Sequence, residues 1–265
     1  MSLNSEHAAL EEAVDVRETG IEPGPGASKR GWEVEVTTGW ESRHVHYGVN
    51  ETGSSGAYVN EVGVQIGDLV LNVWNGFGIG NEFLEWDFTA AYNFELGPVF
   101  VMPGYNFRYM PGHVDGGHGE DDHADAGHEE EGGDHGTHGH NTYGNELFLA
   151  LGTTAIPYVT PSANFIWDLN NIPGAFLEFR LDGDVPVYGE VVSLQPYALL
   201  GLNFGYNTTD VYGLNNFQFG LQTTCRISKY VSAFAGVNYS VAMEALRAID
   251  QGNVVWVNVG LSFAY

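Results

Sequence analysis

Seven of the ten histidines in this 265-residue chain stand between positions 111 and 141: His113, His118, His123, His128, His135, His138 and His140. The same stretch carries nine Asp and Glu residues, no Lys or Arg, and many glycines. Imidazole beside carboxylate is a borderline-soft ligand set suited to Zn²⁺, Ni²⁺ or Cu²⁺. His135, His138 and His140 are close enough in the chain for one ion to gather them. The glycines argue against a rigid, stoichiometric site, because ordering so free a backbone carries a large entropic cost. The stretch therefore reads either as a flexible, solvated acidic surface loop or as one that binds divalent metal weakly at several places. Near pH 6 its imidazoles begin to charge and offset the carboxylates, so its order should vary with pH and metal.

A second set of charges has a different setting. Glu35, Glu41, Arg43, Glu61, Glu85, Asp87, Arg108, Glu146, Glu178 and Arg180 all sit in segments where polar and apolar residues alternate. If those segments wall a lumen, these residues line it and tune what passes. Negative walls would then favour cations. The bland reading is that they pair with one another and plug a narrow interior. Nucleophilic catalysis has little support. Ser42 and His44, or His44 and His46, are two residues apart, but no third member or oxyanion site accompanies them. Gly76–Gly80 precedes no helix and is not a phosphate loop. Cys225 stands alone between Thr224 and Arg226, so no intrachain disulfide is expected, and it reads as a small apolar group rather than a nucleophile. With no nucleophile–base–oxyanion set, no enzyme is expected.

The alternation itself identifies the elements that hold these groups. In the last segment Val255, Val257, Val259, Leu261, Phe263 and Tyr265 share one face, while Asn258, Gly260, Ser262 and Ala264 share the other. Period 2 over this length is a β-strand with one greasy face. The grammar recurs eleven more times. Trp32, Val34, Val36 and Trp40 oppose Glu33, Glu35 and Thr37; Leu84, Trp86, Phe88 and Ala90 oppose Glu85, Asp87 and Thr89. Pro103 interrupts its segment and predicts a bulge. Connections alternate in kind: long at 48–56, 75–82, 111–141, 170–174, 203–212 and 243–253, and tight at places such as Gly67-Asp68 and Glu95–Pro98. Greasy faces rich in aromatics, short turns at one end and longer loops at the other describe an all-β, transmembrane antiparallel barrel of twelve strands. Short periplasmic turns and extracellular loops follow, with both termini at the short-turn end. The barrel is expected over 31–265, preceded by a flexible acidic tail at 1–30 that Glu22-Pro23-Gly24-Pro25-Gly26 keeps irregular.

Bulk properties agree. A formal charge of −25, from 9 Lys and Arg against 34 Asp and Glu, argues against nucleic acid as a partner. The 36 glycines and 35 aromatic residues suit a turn-rich β-protein with aromatic girdles. No apolar run is long enough for a membrane helix. The first residues lack the apolar core of a leader peptide, so for an exported protein the leader is expected to have been removed.

The stretch Gly39-Trp40-Glu41-Ser42-Arg43-His44-Val45-His46-Tyr47-Gly48 resembles the opening strand of a family of Gram-negative outer-membrane porins of the TorF-like kind. The segments at Glu85-Trp86-Asp87, Asn145-Glu146, Pro161–Asp168 and Asn238-Tyr239-Ser240 fall where their counterparts would be. The family usually has Arg just before the loop glycine, where this chain has Tyr47. The resemblance implies an outer-membrane compartment, lipid and the barrel assembly machinery as partners, and small solutes or ions as cargo; it implies no oligomeric state. A Zn²⁺ titration in which nothing binds more tightly than millimolar would remove the metal reading of 113–140.

Overall fold

A computed structural model describes residues 31–111, 142–170, 174–189 and 191–265. Twelve strands form the wall: β1 (Trp32–Glu41), β2 (Ala57–Ile66), β3 (Leu69–Gly78), β4 (Leu84–Tyr92), β5 (Val99–Met110), β6 (Thr142–Thr153), β7 (Val159–Asp168), β8 (Gly174–Gly183), β9 (Val192–Phe204), β10 (Gly213–Arg226), β11 (Val231–Ala242) and β12 (Val254–Ala264). Phe94–Leu96 continues β4 beyond Asn93, and Val185–Tyr188 continues β8. Each strand pairs antiparallel with the next, and β12 pairs with β1, so the sheet closes. Trp40 thereby stands between Tyr58 of β2 and Val259 of β12.

Register decides which residues face out. Val36, Val62, Leu71, Phe88, Leu149, Phe165, Phe179, Phe219, Val237 and Val257 are all exposed on the outer surface. Aromatic contacts rim this belt, with Trp32 and Tyr230 both against Tyr265 at the short-turn end. Tyr109 stacks on Tyr143 at the other end. An apolar girdle of this extent is far beyond the patches that water-facing surfaces carry. A lipid phase accounts for it, and the closed wall leaves no sheet edge in that phase. Even an outward polar pair is satisfied locally: Thr38 Oγ1 donates to Asn60 Oδ1 at 2.8 Å.

Two expectations need correction. The connection expected at 75–82 is shorter, because β3 runs on to Gly78. Gly76 makes this possible: a Cβ there would lie 2.3 Å from the Trp74 ring, so only glycine lets that inward indole lie along its own strand. The bulge expected at Pro103 is absent. The register is unchanged on either side, Ala91 facing Gly104 and Phe94 facing Val101, and the ladder merely lapses at Tyr92 and Asn93. Pro103 sits opposite that gap, where its missing N–H removes no bond. A register shift does occur elsewhere, between Gly201 and Leu202 on the β9–β10 ladder.

The tight turns use left-handed backbone, with Gly67 at φ +59° and Gly97 at φ +69°. At the opposite end the long loops gather, and the loop after β11 contains one short helix, α1 (Glu244–Ala248). Val259 lies at the middle of β12, facing out. Val259→Arg should destabilise the barrel in bilayers by ~2–4 kcal/mol, measured by denaturant unfolding in liposomes. A neutral result there would contradict the lipid-facing assignment of this strand.

Candidate functional site at the barrel mouth

The first long loop, residues 42–56, does not stand away from the barrel. It turns into the mouth as a small hairpin, Val45–His46 paired with Val49–Asn50. Its two turn residues, Tyr47 and Gly48, have φ of 45° and 82°. Positive φ at both central positions is what a tight two-residue hairpin turn requires. Gly48 meets that at no steric cost, and it has no room for more: a Cβ would lie 2.8 Å from Leu246 of α1 and 2.9 Å from Asn216. Tyr47 is strained there by about 1–3 kcal/mol.

The surroundings over-determine that strained residue. The Tyr47 carbonyl accepts from Asn207 Nδ2 at 3.0 Å and from Asn215 Nδ2 at 2.8 Å. Its ring is buried, with centroids 4.8 Å from Phe176 and 5.0 Å, edge-on, from Tyr206. Below it Phe100, Met102, Phe148, Ile166 and Phe176 pack into one apolar cluster inside the wall. Two glycines give the rings space, Gly104 under Phe148 and Gly152 under Phe100. One side of the lumen is therefore filled.

A charged network lies beside this cluster. Arg108 Nε is 2.7 Å from Glu85 Oε1 and 3.5 Å from Asp87 Oδ1, and Arg108 Nη2 is 3.8 Å from Glu146 Oε1. Asn106 Nδ2 donates to Asp87 Oδ2 and to Glu146 Oε2, both at 3.3 Å, and the Tyr206 hydroxyl donates to Glu146 Oε1. One guanidinium thus serves three buried carboxylates. Arg108 Nη2 also lies 2.8 Å from His46 Nε2. Arginine has only donors, so His46 Nε2 accepts and the ring proton sits on Nδ1, 3.6 Å from Glu51 Oε1.

The two loop histidines are driven in opposite directions. Burial, and then the Arg108 charge, hold His46 well below the ordinary imidazole value. Burial would lower His44 as well, but a hydrogen bond to Glu41 and the charges of Glu41, Glu51 and Glu85 outweigh it and raise His44 to about 9. His44 Nδ1 lies 3.2 Å from Glu41 Oε2, and Nε2 lies 3.9 Å from Glu51 Oε2. The ligand atoms of His44, Glu51 and Glu85 all fall within 4.8 Å of one another, so these residues could hold a metal ion.

The expected lining residues divide by place. Glu41, Glu85, Asp87, Arg108 and Glu146 come together at the mouth. Arg180 Nε donates to Asp182 Oδ1 at 2.6 Å and lies 4.1 Å from the Tyr197 ring centre, with Glu178 inward and buried on the same strand. Glu35 and Glu61 are half-buried on the β1–β2 wall, where the Ser262 hydroxyl donates to Glu35. Arg43 departs from the set: it lies past the end of β1 and its guanidinium donates to the Val255 carbonyl at 3.1 Å. Ser42 is not paired with His44. Its hydroxyl accepts from the Val257 N–H at 3.0 Å, tying the loop to β12. The seven histidines from His113 to His140 lie outside the described residues.

Sequence reasoning passed over two groups. Glu51 and Tyr206 read as loop residues and Tyr47 as the last residue before the first loop, although the tyrosine-glycine turn flanked by Val45 and Val49 is a hairpin signal. An amide ladder on β9–β12 also went unremarked. Gln222 Nε2 and Thr224 Oγ1 donate to Gln195 Oε1 at 3.0 and 2.9 Å, and Asn238 Nδ2 donates to Asn258 Oδ1 at 3.1 Å. Tyr197 bridges Gln218 and Asn238. Apart from the buried Gln218, these residues are half-exposed, and they line the side of the lumen that the aromatic cluster leaves free.

No family model and no curated protein sequence matches the chain. Solved structures do. A KdgM porin in complex with disordered oligogalacturonate is 7% identical, with a TM-score of 0.53 over 88% of this chain and 99% of that one. A NanC porin is also 7% identical, with a TM-score of 0.56 over 87% of this chain and 98% of that one. The chain shares with these porins the fold of a closed, twelve-stranded antiparallel β-barrel.

Removing Arg108 would leave Glu85, Asp87 and Glu146 buried without their cation. Arg108→Gln should therefore destabilise the barrel by ~3–5 kcal/mol, read as a lowered urea midpoint in detergent. An unchanged midpoint would show that the carboxylates are solvated rather than buried.

Proposed function

We propose that this chain is an outer-membrane channel through which small solutes or ions pass passively, with a preference for cations. The supporting observation is the balance of charge on the inward wall. Glu35, Glu41, Glu61, Glu85, Asp87, Glu146 and Glu178 face in, against Arg108 and Arg180. A low-dielectric wall focuses that field into the lumen, concentrating cations and repelling anions. The oligogalacturonate of the KdgM complex is a polyanion, so that ligand does not carry over to this interior. The amide ladder of Gln195, Gln222, Asn238 and Asn258 supplies the neutral, hydrogen-bonding half of the path.

A barrel of this kind belongs in the outer membrane of a Gram-negative bacterium, inserted by the barrel assembly machinery. The resemblance of Gly39–Gly48 to TorF-like porins supports the same placement, without identifying a solute.

One observation favours a second reading. The Tyr47 hairpin and the Phe100–Phe176 cluster occupy much of the mouth, which suits a plugged barrel acting at the cell surface. In that case the stretch from His113 to His140 would be the working part, as a weak binder of Zn²⁺, Ni²⁺ or Cu²⁺.

Planar-bilayer recording separates the two. A channel should give small, cation-selective steps, and excising 45–50 should enlarge them without reversing the selectivity. Glu35→Gln with Glu61→Gln should shift the reversal potential toward zero. Silence from both the parent and the excised chain, or anion selectivity, would overturn the channel reading.

A further inference from the structure

At the mouth, two carboxylates each have one oxygen engaged and the other left over. Glu85 Oε1 is held by Arg108, 2.7 Å away, and Glu51 Oε1 faces His46 Nδ1 at 3.6 Å. Their second oxygens, Glu85 Oε2 and Glu51 Oε2, are buried with no hydrogen-bond partner. Glu85 is only 1% exposed, so bulk solvent does not reach that oxygen. Between them stands His44. Its Nδ1 is engaged by Glu41, 3.2 Å away, which leaves Nε2 turned toward Glu51 Oε2 at 3.9 Å.

Charge points the same way. Glu41, Glu51, Glu85, Asp87 and Glu146 surround the pair, against Arg108, already divided among three of them, and the protonated His44 ring, whose Nε2 proton a bound metal ion would replace. Buried carboxylates in excess of their cations call for a further positive partner. Imidazole nitrogen with two carboxylates is a donor set for zinc-like divalent ions rather than for the harder Mg²⁺ or Ca²⁺.

We propose that His44, Glu51 and Glu85 bind one divalent cation of the Zn²⁺ class. Tetrahedral bonds of ~2.1 Å place ligand atoms ~3.4 Å apart, so the present separations, all within 4.8 Å, need only modest side-chain contraction. Glu41 is the outer carboxylate that holds the His44 ring in place, the usual partner of a metal-bound imidazole. His44 and Glu51 belong to the first loop and Glu85 to β4, so the ion joins the inserted hairpin to the wall. The site does not depend on the barrel conducting; it requires only the docked hairpin.

The test is Co²⁺ titration of the full chain in detergent, read by visible absorption and calorimetry. It is run with the seven histidines from His113 to His140 changed to Asn, so that they contribute nothing. One site with the intense absorption of low-coordinate cobalt is expected. Glu51→Gln and Glu85→Gln should each weaken it by more than ~10-fold, the smallest loss that outer-shell changes alone produce. Glu41→Gln should weaken it about 10-fold, and His44→Ala should abolish the spectrum. Heat-modifiable migration of every variant establishes that the barrel still folds. Affinity unchanged in both Gln variants, or only the pale spectrum of hydrated cobalt, would overturn the proposal. Because the readout is binding, a silent bilayer recording leaves the result standing.

Discussion

Hydrocarbon offers the backbone no hydrogen-bond partner, and this one constraint organises the molecule. Every strand must pair on both sides, so β12 must return to β1, and Val259 must meet Trp40. Once the sheet is closed, alternation leaves each residue two possibilities, lipid or lumen. The outer positions become Val, Leu, Phe, Tyr and Trp. All remaining chemistry, including nearly every charge on the wall, is forced inward. The concentration of carboxylates in the interior is a consequence of closure as much as of function.

The interior is then divided. On the β3–β8 side the lumen is filled by stacked aromatic and aliphatic groups, which rest on glycines small enough to admit them. On the β9–β12 side amide and hydroxyl groups bond to one another along neighbouring strands. At the mouth the first loop closes over the boundary between these halves. Its docking joins several weak devices: a strained turn, two asparagine bonds to one carbonyl, ring contacts and a shared arginine. None is strong alone, and together they hold Tyr47 where isolated tyrosine would not stay.

The similarity to KdgM and NanC porins is one of shape. At 7% identity the three share the path of the wall and few of its residues. That is the expected division for a barrel, because the lipid constrains outward residues only by polarity and constrains inward ones hardly at all.

The sequence by itself determined the wall. Period-2 alternation in twelve segments, with glycine turns such as Gly67 and Gly97 between them, specified strand number, facing and the end at which the loops collect. It did so because pairing in a barrel is local: each strand bonds its neighbour in the chain, apart from the closing pair. Strand ends were less legible, since whether Gly76 belongs to a strand depends on where the Trp74 ring lies. Only the tertiary structure decided the site. In the sequence His44 is a catalytic candidate with no third member, Glu51 part of the loop at 48–56 and Arg43 a lining residue; the inward fold of the loop reassigns all three. No periodicity encodes that turn, because it is made by contacts with Glu85, Arg108, Phe176, Asn207 and Asn215, residues up to 168 positions away. Local pattern can report which face a residue occupies, but a loop's direction is set by distant groups that the chain brings together only on closing.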